Sequence, residues 1–209
     1  MSGFARRLHQ AASGSLTVVG NIVAQDNFNR ADGSLGTADI GGAWTTHVGT
    51  LTGTPAWGIA GDAVGVTAAG GTDNWLSATL PLSVATGTIF CDVYLSPNNA
   101  NTGVCLFSSS DGMTYLNVQL NESVTYDRIA LSKRVSGTTT WLQEIDNLNF
   151  ANGRGYSMAV VFTAVNVKVY LDGVIYLDYN LGSQDLTDLT GDTYLCFRSW
   201  FGPNNNDGG

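Results

Sequence analysis

The chain has 209 residues, of which 44% are hydrophobic, 10% aromatic and only 12% charged, and its net charge is −8 at pH 7. This length accommodates one all-β domain with its own core, and the aromatic content indicates a packed fold. The acidic balance argues against nucleic acid and an anionic membrane surface as partners. No apolar run approaches the roughly 18 residues that cross a bilayer, so we expect no membrane span.

The first 25 residues differ in pattern from the rest of the chain. Between residues 3 and 12, apolar side chains recur at helical spacing with basic residues between them, which predicts a short amphipathic helix. Such a helix is not stable alone and needs another surface to cover its apolar side. We therefore expect residues 1–25 to be an arm that anchors the chain to a neighbouring subunit of an oligomeric assembly. The expected anchor residues are Phe4, Arg6, Arg7 and Leu8.

Residues 16–23 form an extended apolar run within this arm. Burial of each large apolar side chain stabilises a fold by roughly 1.5–3 kcal/mol, so this run needs a covered surface. The alternative to an anchoring arm is therefore that residues 16–23 supply a strand of the domain itself.

From residue 26 onward, apolar and polar residues alternate with a period of two, which is typical of β-strands. Turn signals such as Asp111-Gly112 and Asp172-Gly173 separate these runs. Many short strands joined by tight turns predict an all-β, two-sheet antiparallel sandwich over residues 26–201, followed by a Gly/Asn-rich tail at 202–209. The predicted strands lie at 43–48, 56–60, 63–68, 75–80, 88–95, 104–108, 114–120, 124–134, 140–145, 156–163, 165–171, 174–179 and 193–200.

Two of these strands show which face they bury. In the run 114–120, Leu116 and Val118 form the apolar set, and in the run 165–171, Val167 and Val169 do so. We predict that these four side chains are buried. After the Asp172-Gly173 turn, alignment of the apolar sets requires Leu171 to face Ile175, which predicts a type I turn with a glycine bulge.

Three cysteines, Cys91, Cys105 and Cys196, each lie inside an apolar, strand-like run. An odd number without a local pairing motif does not indicate a disulfide framework. We expect three buried free thiols.

The segment from 26 to 62 carries a more specific pattern. It reads Asp-Asn-Phe-Asn-Arg-Ala-Asp-Gly-Ser-Leu-Gly from residue 26, then Gly-Gly-Ala-Trp-Thr-Thr from residue 41 and Trp-Gly-Ile-Ala-Gly-Asp from residue 57. This pattern resembles the opening of concanavalin A-like, laminin-G-like jelly rolls, which recur in tail and other virion surface proteins of actinobacteriophages and in bacterial secreted proteins. Segments within 104–120, 168–176 and 194–200 fit later parts of the same pattern, so the resemblance covers about residues 26–201.

The resemblance implies a jelly-roll sandwich and a function on the surface of a virion. It implies a non-enzymatic minor tail, fibre or capsid-decorating component, held among other virion proteins by its N-terminal arm, with a face that binds host envelope glycan. The alternatives are a free-standing carbohydrate-binding lectin module and a glycan hydrolase or lyase, because this fold hosts all of these functions.

A glycan surface needs exposed aromatic side chains flanked by amides or acids. Aromatic rings stack on the C–H faces of sugars while amide and carboxylate groups bind the hydroxyls. We expect one such stripe on the outward face of the run 114–120. The candidate glycan-binding residues are Tyr115, Asn117, Gln119, Trp75 and Tyr170, with Trp141 and Trp200 as further exposed aromatic candidates.

Two acidic patterns are candidates for catalysis and for metal binding. Glu144 and Asp146 lie on one face of a predicted strand, as a retaining glycosidase pair does, but the third acid of the glucanase pattern is replaced by Asn149. We therefore expect no hydrolytic activity. Laminin-G-like domains often hold calcium at a rim of the sandwich, and Asp26 and Asp32 are the candidate ligands for such an ion.

Overall fold

The computed structural model describes residues 5–7, 22–48, 56–59, 64–68, 74–82, 84–94, 101–121, 127–150, 154–189, 191 and 194–201. Strands dominate these residues, and no helix in them is long and apolar enough to span a bilayer. The elements are β1 (Ala5–Arg7), β2 (Thr45–Val48), β3 (Ala56–Ile59), β4 (Val64–Ala68), β5 (Asn74–Pro81), β6 (Gly87–Tyr94), β7 (Asn101–Ser108), β8 (Tyr115–Asn121), β9 (Arg128–Val135), β10 (Thr138–Asp146), β11 (Gly155–Phe162), β12 (Asn166–Leu171), β13 (Val174–Asn180), α1 (Ser183–Asp188) and β14 (Tyr194–Phe201).

The strands form two antiparallel sheets of seven strands each, which confirms the predicted sandwich. Sheet I has the order β13-β12-β11-β6-β1-β4-β3, and sheet II has the order β10-β9-β8-β7-β14-β5-β2. The last strand, β14, lies in the middle of sheet II between β7 and β5. Strands that are distant in sequence therefore become neighbours, as in a jelly roll.

The core lies between the two sheets. Leu116, Val118, Val167 and Val169 are all completely buried in it, as predicted from the period-two pattern. An aromatic cluster joins the opening motif to sheet II: the rings of Trp44 and Phe197 stack at 5.0 Å, and Phe28 packs against both. Such pairs stabilise a core by about 0.5–1.5 kcal/mol beyond the area they bury.

Asp26 organises the opening motif from a fully buried position. Its Oδ1 accepts hydrogen bonds from the Phe28 backbone amide at 2.9 Å and from Arg30 Nη1 at 2.7 Å. Its Oδ2 accepts from Arg30 Nη2 at 2.9 Å and from Trp44 Nε1 at 2.7 Å. A buried carboxylate is stable only when it is paired and hydrogen-bonded, and here one carboxylate joins the start of the motif to Trp44.

The N-terminal segment differs from the sequence prediction. Ala5–Arg7 forms β1, which pairs antiparallel with β6 and β4 in the interior of sheet I, so the predicted helix over 3–12 is wrong at these residues. The physical reason is that β6 and β4 both present backbone groups to the gap between them, and only an extended segment pairs with both. Phe4, Leu8, most of the run 16–23 and the tail at 202–209 lie outside the described residues.

The hairpin between β12 and β13 also differs from the predicted form. Leu171 faces Val174, and both Asp172 (φ 49°) and Gly173 (φ 82°) are left-handed, as in a two-residue type I′ turn. Alignment of the apolar sets is restored inside the strands, where a bulge lets Leu177 face Val169. Ile175 is consequently exposed rather than paired with Leu171.

A short helix that the sequence analysis did not predict, α1, docks on the sandwich through an ion triad. Lys133 of β9 donates from Nζ to Asp185 Oδ1 and to Asp188 Oδ2, both at 2.7 Å. Asp185 also accepts from the backbone amide of Gly182 at 2.9 Å, which caps the first turn of the helix. The two carboxylates compensate the charge of the buried Lys133 ammonium group.

Candidate functional site

The outer face of sheet II carries a row of polar and sulfur-bearing side chains across its strands. Alternation along each strand separates this face from the core set, which includes Leu116 and Val118. Consecutive members of the row are register partners on neighbouring strands. The row, from the β10 edge inward, is Trp141, Ser132, Asn117, Cys105, Cys196 and Thr79.

A second row runs beside the first on the same face. Its described members are Glu144, Ala130, Gln119 and Gly103, again register partners on neighbouring strands, and the backbone register leads on through residues 198 and 77 to His47. At the β2 end of this row, His47 Nε2 lies 2.9 Å from Thr79 Oγ1. Burial lowers the pKa of His47 below its ordinary value, against a smaller opposing effect of Asp111.

The predicted stripe of Tyr115, Asn117 and Gln119 lies on this outer face, but its predicted exposure is wrong. The three residues retain only 1%, 2% and 6% of their accessible surface. Asn117 Nδ2 donates to Gln119 Oε1 at 3.1 Å, and Cys105 Sγ donates to Asn117 Oδ1 at 3.5 Å. The amides of Asn117 and Gln119 therefore bond to each other, and the Asn117 amide also accepts from Cys105 of β7.

Gly103 explains how the amide of Asn117 fits against the neighbouring strand. A Cβ atom at this position would lie 2.4 Å from Asn117 Oδ1 and 3.1 Å from the backbone oxygen of Val118. The absence of that atom lets the amide lie close to β7. A glycine inside a strand often marks such a close approach, and it is the signal in the sequence for this burial.

An exposed part of the outer face lies at its β10 edge. Trp141 keeps 47% of its surface, and the Arg128 guanidinium lies over its ring with Cζ 5.8 Å from the centroid. Arg128 donates from Nη1 to Glu144 Oε1 at 2.5 Å and from Nε to Asp146 Oδ1 at 2.7 Å. We call these four residues, Trp141, Arg128, Glu144 and Asp146, the Trp141 site.

The charges of the Trp141 site fix its geometry more than they stabilise the fold. Ion pairs this exposed contribute at most about 1 kcal/mol each. Two carboxylates on one guanidinium nevertheless hold the plane of Arg128 against the indole, where it gains a cation–π contact. The result is an anchored aromatic surface bordered by hydrogen-bonding groups, with two carboxylates against one guanidinium.

The same geometry bears on Glu144 and Asp146 as catalytic candidates. Glycoside hydrolysis by a carboxyl pair needs one acid at the glycosidic oxygen and the other at the opposite face of the sugar. Here both carboxylates bind the same arginine, on one strand at the sheet edge. The arrangement suits the binding of hydroxyl groups better than proton transfer.

The remaining glycan candidates are not brought together with this site. Tyr170 is half-buried on the outer face of sheet I, where its register partners are Ala159 and Ile175. Trp75 and Trp200 are register partners in sheet II, but their side chains lie outside the described residues. Arg128 is the member of the Trp141 site that the sequence analysis missed.

The calcium candidates have different surroundings. Asp26 is a poor calcium ligand in this structure, because its two oxygens already accept the hydrogen bonds of Arg30, Trp44 and Phe28. Asp32 is exposed. Within the described residues, no group of three or more acidic, histidine or cysteine side chains is placed to hold a metal ion. Calcium binding stays a prediction.

Of the four expected anchor residues, the structure describes only the backbone of Arg6 and Arg7. Arg6 and Arg7 belong to β1, so their backbone is part of sheet I. Their side chains, like Phe4 and Leu8, lie outside the description. Attachment to a neighbouring subunit stays a prediction.

Comparison with known proteins shows the fold. No protein-family model matches the sequence, and no curated protein sequence does. A carbohydrate-binding module, CBM66, from Bacillus subtilis superposes with a TM-score of 0.54 at 14% identity, over 76% of this chain and 88% of that one. Sheep galectin-11, in complex with glycerol, gives 0.43 at 9% identity over 59% and 88% of the two chains. Toad ovary galectin, in complex with thio-digalactose, gives 0.44 at 12% identity over 61% and 92%.

Proposed function

We propose that this chain is a carbohydrate-binding domain that holds a sugar against Trp141 on the outer face of sheet II. The observation that carries the proposal is the Trp141 site itself. An indole that is almost half exposed is held in place by an arginine and bordered by two carboxylates. The C–H face of a sugar stacks on such a ring, while its hydroxyls bind the carboxylate and guanidinium groups.

The fold supports this proposal without carrying it. The Bacillus subtilis protein that shares the sandwich is, by its title, a carbohydrate-binding module. Because one fold serves many functions, the Trp141 site and not this structural similarity carries the proposal. Of the functions considered, a free-standing carbohydrate-binding module has the best support.

The charges of the site indicate which sugars it binds. Arg128 is already engaged by both Glu144 and Asp146, so the site offers no uncompensated cation to an acidic sugar. The net charge of the whole chain, −8, repels anions further. The preferred ligands are therefore neutral or amino sugars rather than uronic or sialic acids.

A glycan array that contains neutral, amino and acidic sugars tests this function, followed by calorimetric titration of the best ligand. Trp141→Ala is expected to lower the affinity at least tenfold, which is about 1.4 kcal/mol. Tyr170→Ala is the matched control, because it removes a half-buried aromatic from the opposite sheet and leaves the affinity unchanged. Equal affinity of Trp141→Ala and the wild type, with both folded by circular dichroism, would refute the site.

We also propose that binding occurs without hydrolysis. The support is that Glu144 and Asp146 share Arg128 in place of the separated acid and base of a glycosidase. Incubation of the bound polysaccharide with the protein should release no reducing ends. Sugar release that Glu144→Gln abolishes would show instead that the chain is a hydrolase.

A location on a virion surface is a second proposal, and the opening motif at 26–62 is the observation that favours it. In that setting the chain is a tail, fibre or capsid-decorating component, and the sugar belongs to the host envelope. Mass spectrometry of purified particles from a lysate tests it. Recovery of the chain only in the soluble fraction would leave a free-standing module as the function.

A further inference from the structure

Cys105 and Cys196 face each other across the centre of sheet II. Cys105 lies on β7 and Cys196 on β14, and the two residues are register partners in this antiparallel pair. Neither residue is in a disulfide, and both side chains are completely buried and packed together with Tyr115 in a cluster separate from the main core. The third cysteine, Cys91, lies on β6 in the other sheet.

The placement of the two facing cysteines satisfies the spacing of a disulfide. Directly opposed residues of an antiparallel pair have Cα atoms about 4.5–5.5 Å apart. A disulfide accepts Cα separations of roughly 4.4–6.8 Å, so the bond needs no large backbone movement. We propose that Cys105 and Cys196 are a cross-strand dithiol that closes to a disulfide when a disulfide oxidant is present, and that the bond locks β14 to β7.

The chemistry is thiol–disulfide exchange with a small disulfide oxidant such as oxidised glutathione. One cysteine loses its proton, and its thiolate attacks the oxidant, forming a mixed disulfide and releasing one glutathione thiolate. The second cysteine, deprotonated in turn, attacks the protein sulfur of the mixed disulfide and releases the second glutathione thiolate. The two protons lost by the cysteines end on the two glutathione thiols, and two electrons pass from the protein to the oxidant.

Burial determines when this exchange takes place. Because both thiols have no exposed surface, the oxidant reaches them before β14 docks during folding or in a transiently opened state. The bond then joins two strands that are close in space and far apart in sequence, so it restricts the unfolded chain strongly. It also removes the Cys105 S–H group that donates to Asn117 Oδ1.

The experiment refolds the reduced, denatured full chain in a buffer of reduced and oxidised glutathione, then alkylates free thiols and maps the peptides by mass spectrometry. The expected result is one intramolecular bond between Cys105 and Cys196, a free Cys91, and a Tm raised by roughly 10 °C over the reduced protein. The same mapping on protein produced in an oxidising compartment gives a second readout that does not depend on refolding.

Variants make the test specific. Cys91→Ala should form the bond as the wild type does, whereas Cys105→Ser and Cys196→Ser should not form it. Cys91 lies in the other sheet, where its register partner on β11 is Met158, so it has no facing cysteine with which to close a bond. Three free thiols in protein from both preparations, or a bond that includes Cys91, would overturn the proposal.

Discussion

Replacement of Asp26 by alanine tests whether the opening motif is a structural clasp. The substitution removes the acceptor of four hydrogen bonds, two of them from the Arg30 guanidinium and one from the Trp44 indole. A hydrogen bond to a charged group contributes about 1.5–3 kcal/mol, but bonds to one shared carboxylate are not additive. Breaking a buried pair by removing one partner typically costs about 3–5 kcal/mol, which is our expected loss in the free energy of unfolding.

Urea denaturation and calorimetry measure this loss. In a chain of this size, about 1 kcal/mol changes the Tm by roughly 2–4 °C, so Asp26→Ala should lower the Tm by roughly 6–20 °C. Asp39→Ala is the matched control, because Asp39 is an exposed acid of the same segment that accepts one backbone hydrogen bond, from Asn27. Its loss should stay below about 1 kcal/mol.

The pairing of Asp26 with Arg30 is separable from the other contacts of Asp26. A double-mutant cycle with Arg30→Met should give a coupling energy of at least about 1 kcal/mol, because the pair is bidentate. Asp26→Ala within about 1 kcal/mol of the wild type would contradict the clasp. A rise in Tm on addition of calcium that Asp26→Ala abolishes would support the calcium hypothesis instead.

Three further predictions concern the N-terminal segment, the outer face of sheet II and the Lys133 ion triad. Deletion of residues 1–25 should lower the Tm and not merely prevent assembly, since β1 pairs with two strands of sheet I. An unchanged Tm would favour the anchoring arm that the sequence predicts. Gly103→Ala should lower the free energy of unfolding by about 1–3 kcal/mol, because its Cβ would lie 2.4 Å from Asn117 Oδ1. Gly155→Ala, with open space around it, should leave that free energy unchanged in the same denaturation assay. Burial alone would lower the pKa of Lys133, but its hydrogen bonds to Asp185 and Asp188 outweigh burial and raise that pKa. The hydrogen bond from Lys133 lowers the pKa of Asp188. The triad is therefore lost as the pH falls through the depressed carboxyl pKa and as it rises through the raised ammonium pKa, and Lys133→Met should flatten both limbs of a stability–pH curve.

The strands were predictable because two independent signals agree along the chain. Alternation marked the runs, and turn residues such as Asp111-Gly112 and Asp172-Gly173 marked where several of them ended, so every predicted strand has an observed counterpart. β1 carries no such signal, since three residues are too few to show a period, and its place depends on the gap between β4 and β6. Tertiary pairing decided that segment against its helical spacing.

The candidate site was harder to predict because facing outward is not the same as being exposed. Asn117 and Gln119 do lie on the outer face, but both are buried, and for Asn117 the close approach depends on a residue of another strand, Gly103. Arg128 was missed for a different reason. An unbroken count from the Ser136-Gly137 turn places Arg128 opposite Ile145 and turns Glu144 and Asp146 to the core face, whereas the observed partner of Arg128 is Asp146.

A β-bulge in β10 accounts for that difference and builds the Trp141 site. The register shifts by one residue between Trp141 and Gln143, so the outward set is odd-numbered before the shift and even-numbered after it. In a regular strand, Trp141 would share its face with Gln143 and Ile145, and both acids would point into the core. The bulge instead turns Glu144 and Asp146 to the face that carries Trp141, where Arg128 binds both of them. The extra residue of the bulge, Leu142, packs against the core. The bulge thus keeps an apolar side chain on the inner face while it places the acids of the proposed sugar site on the outer face.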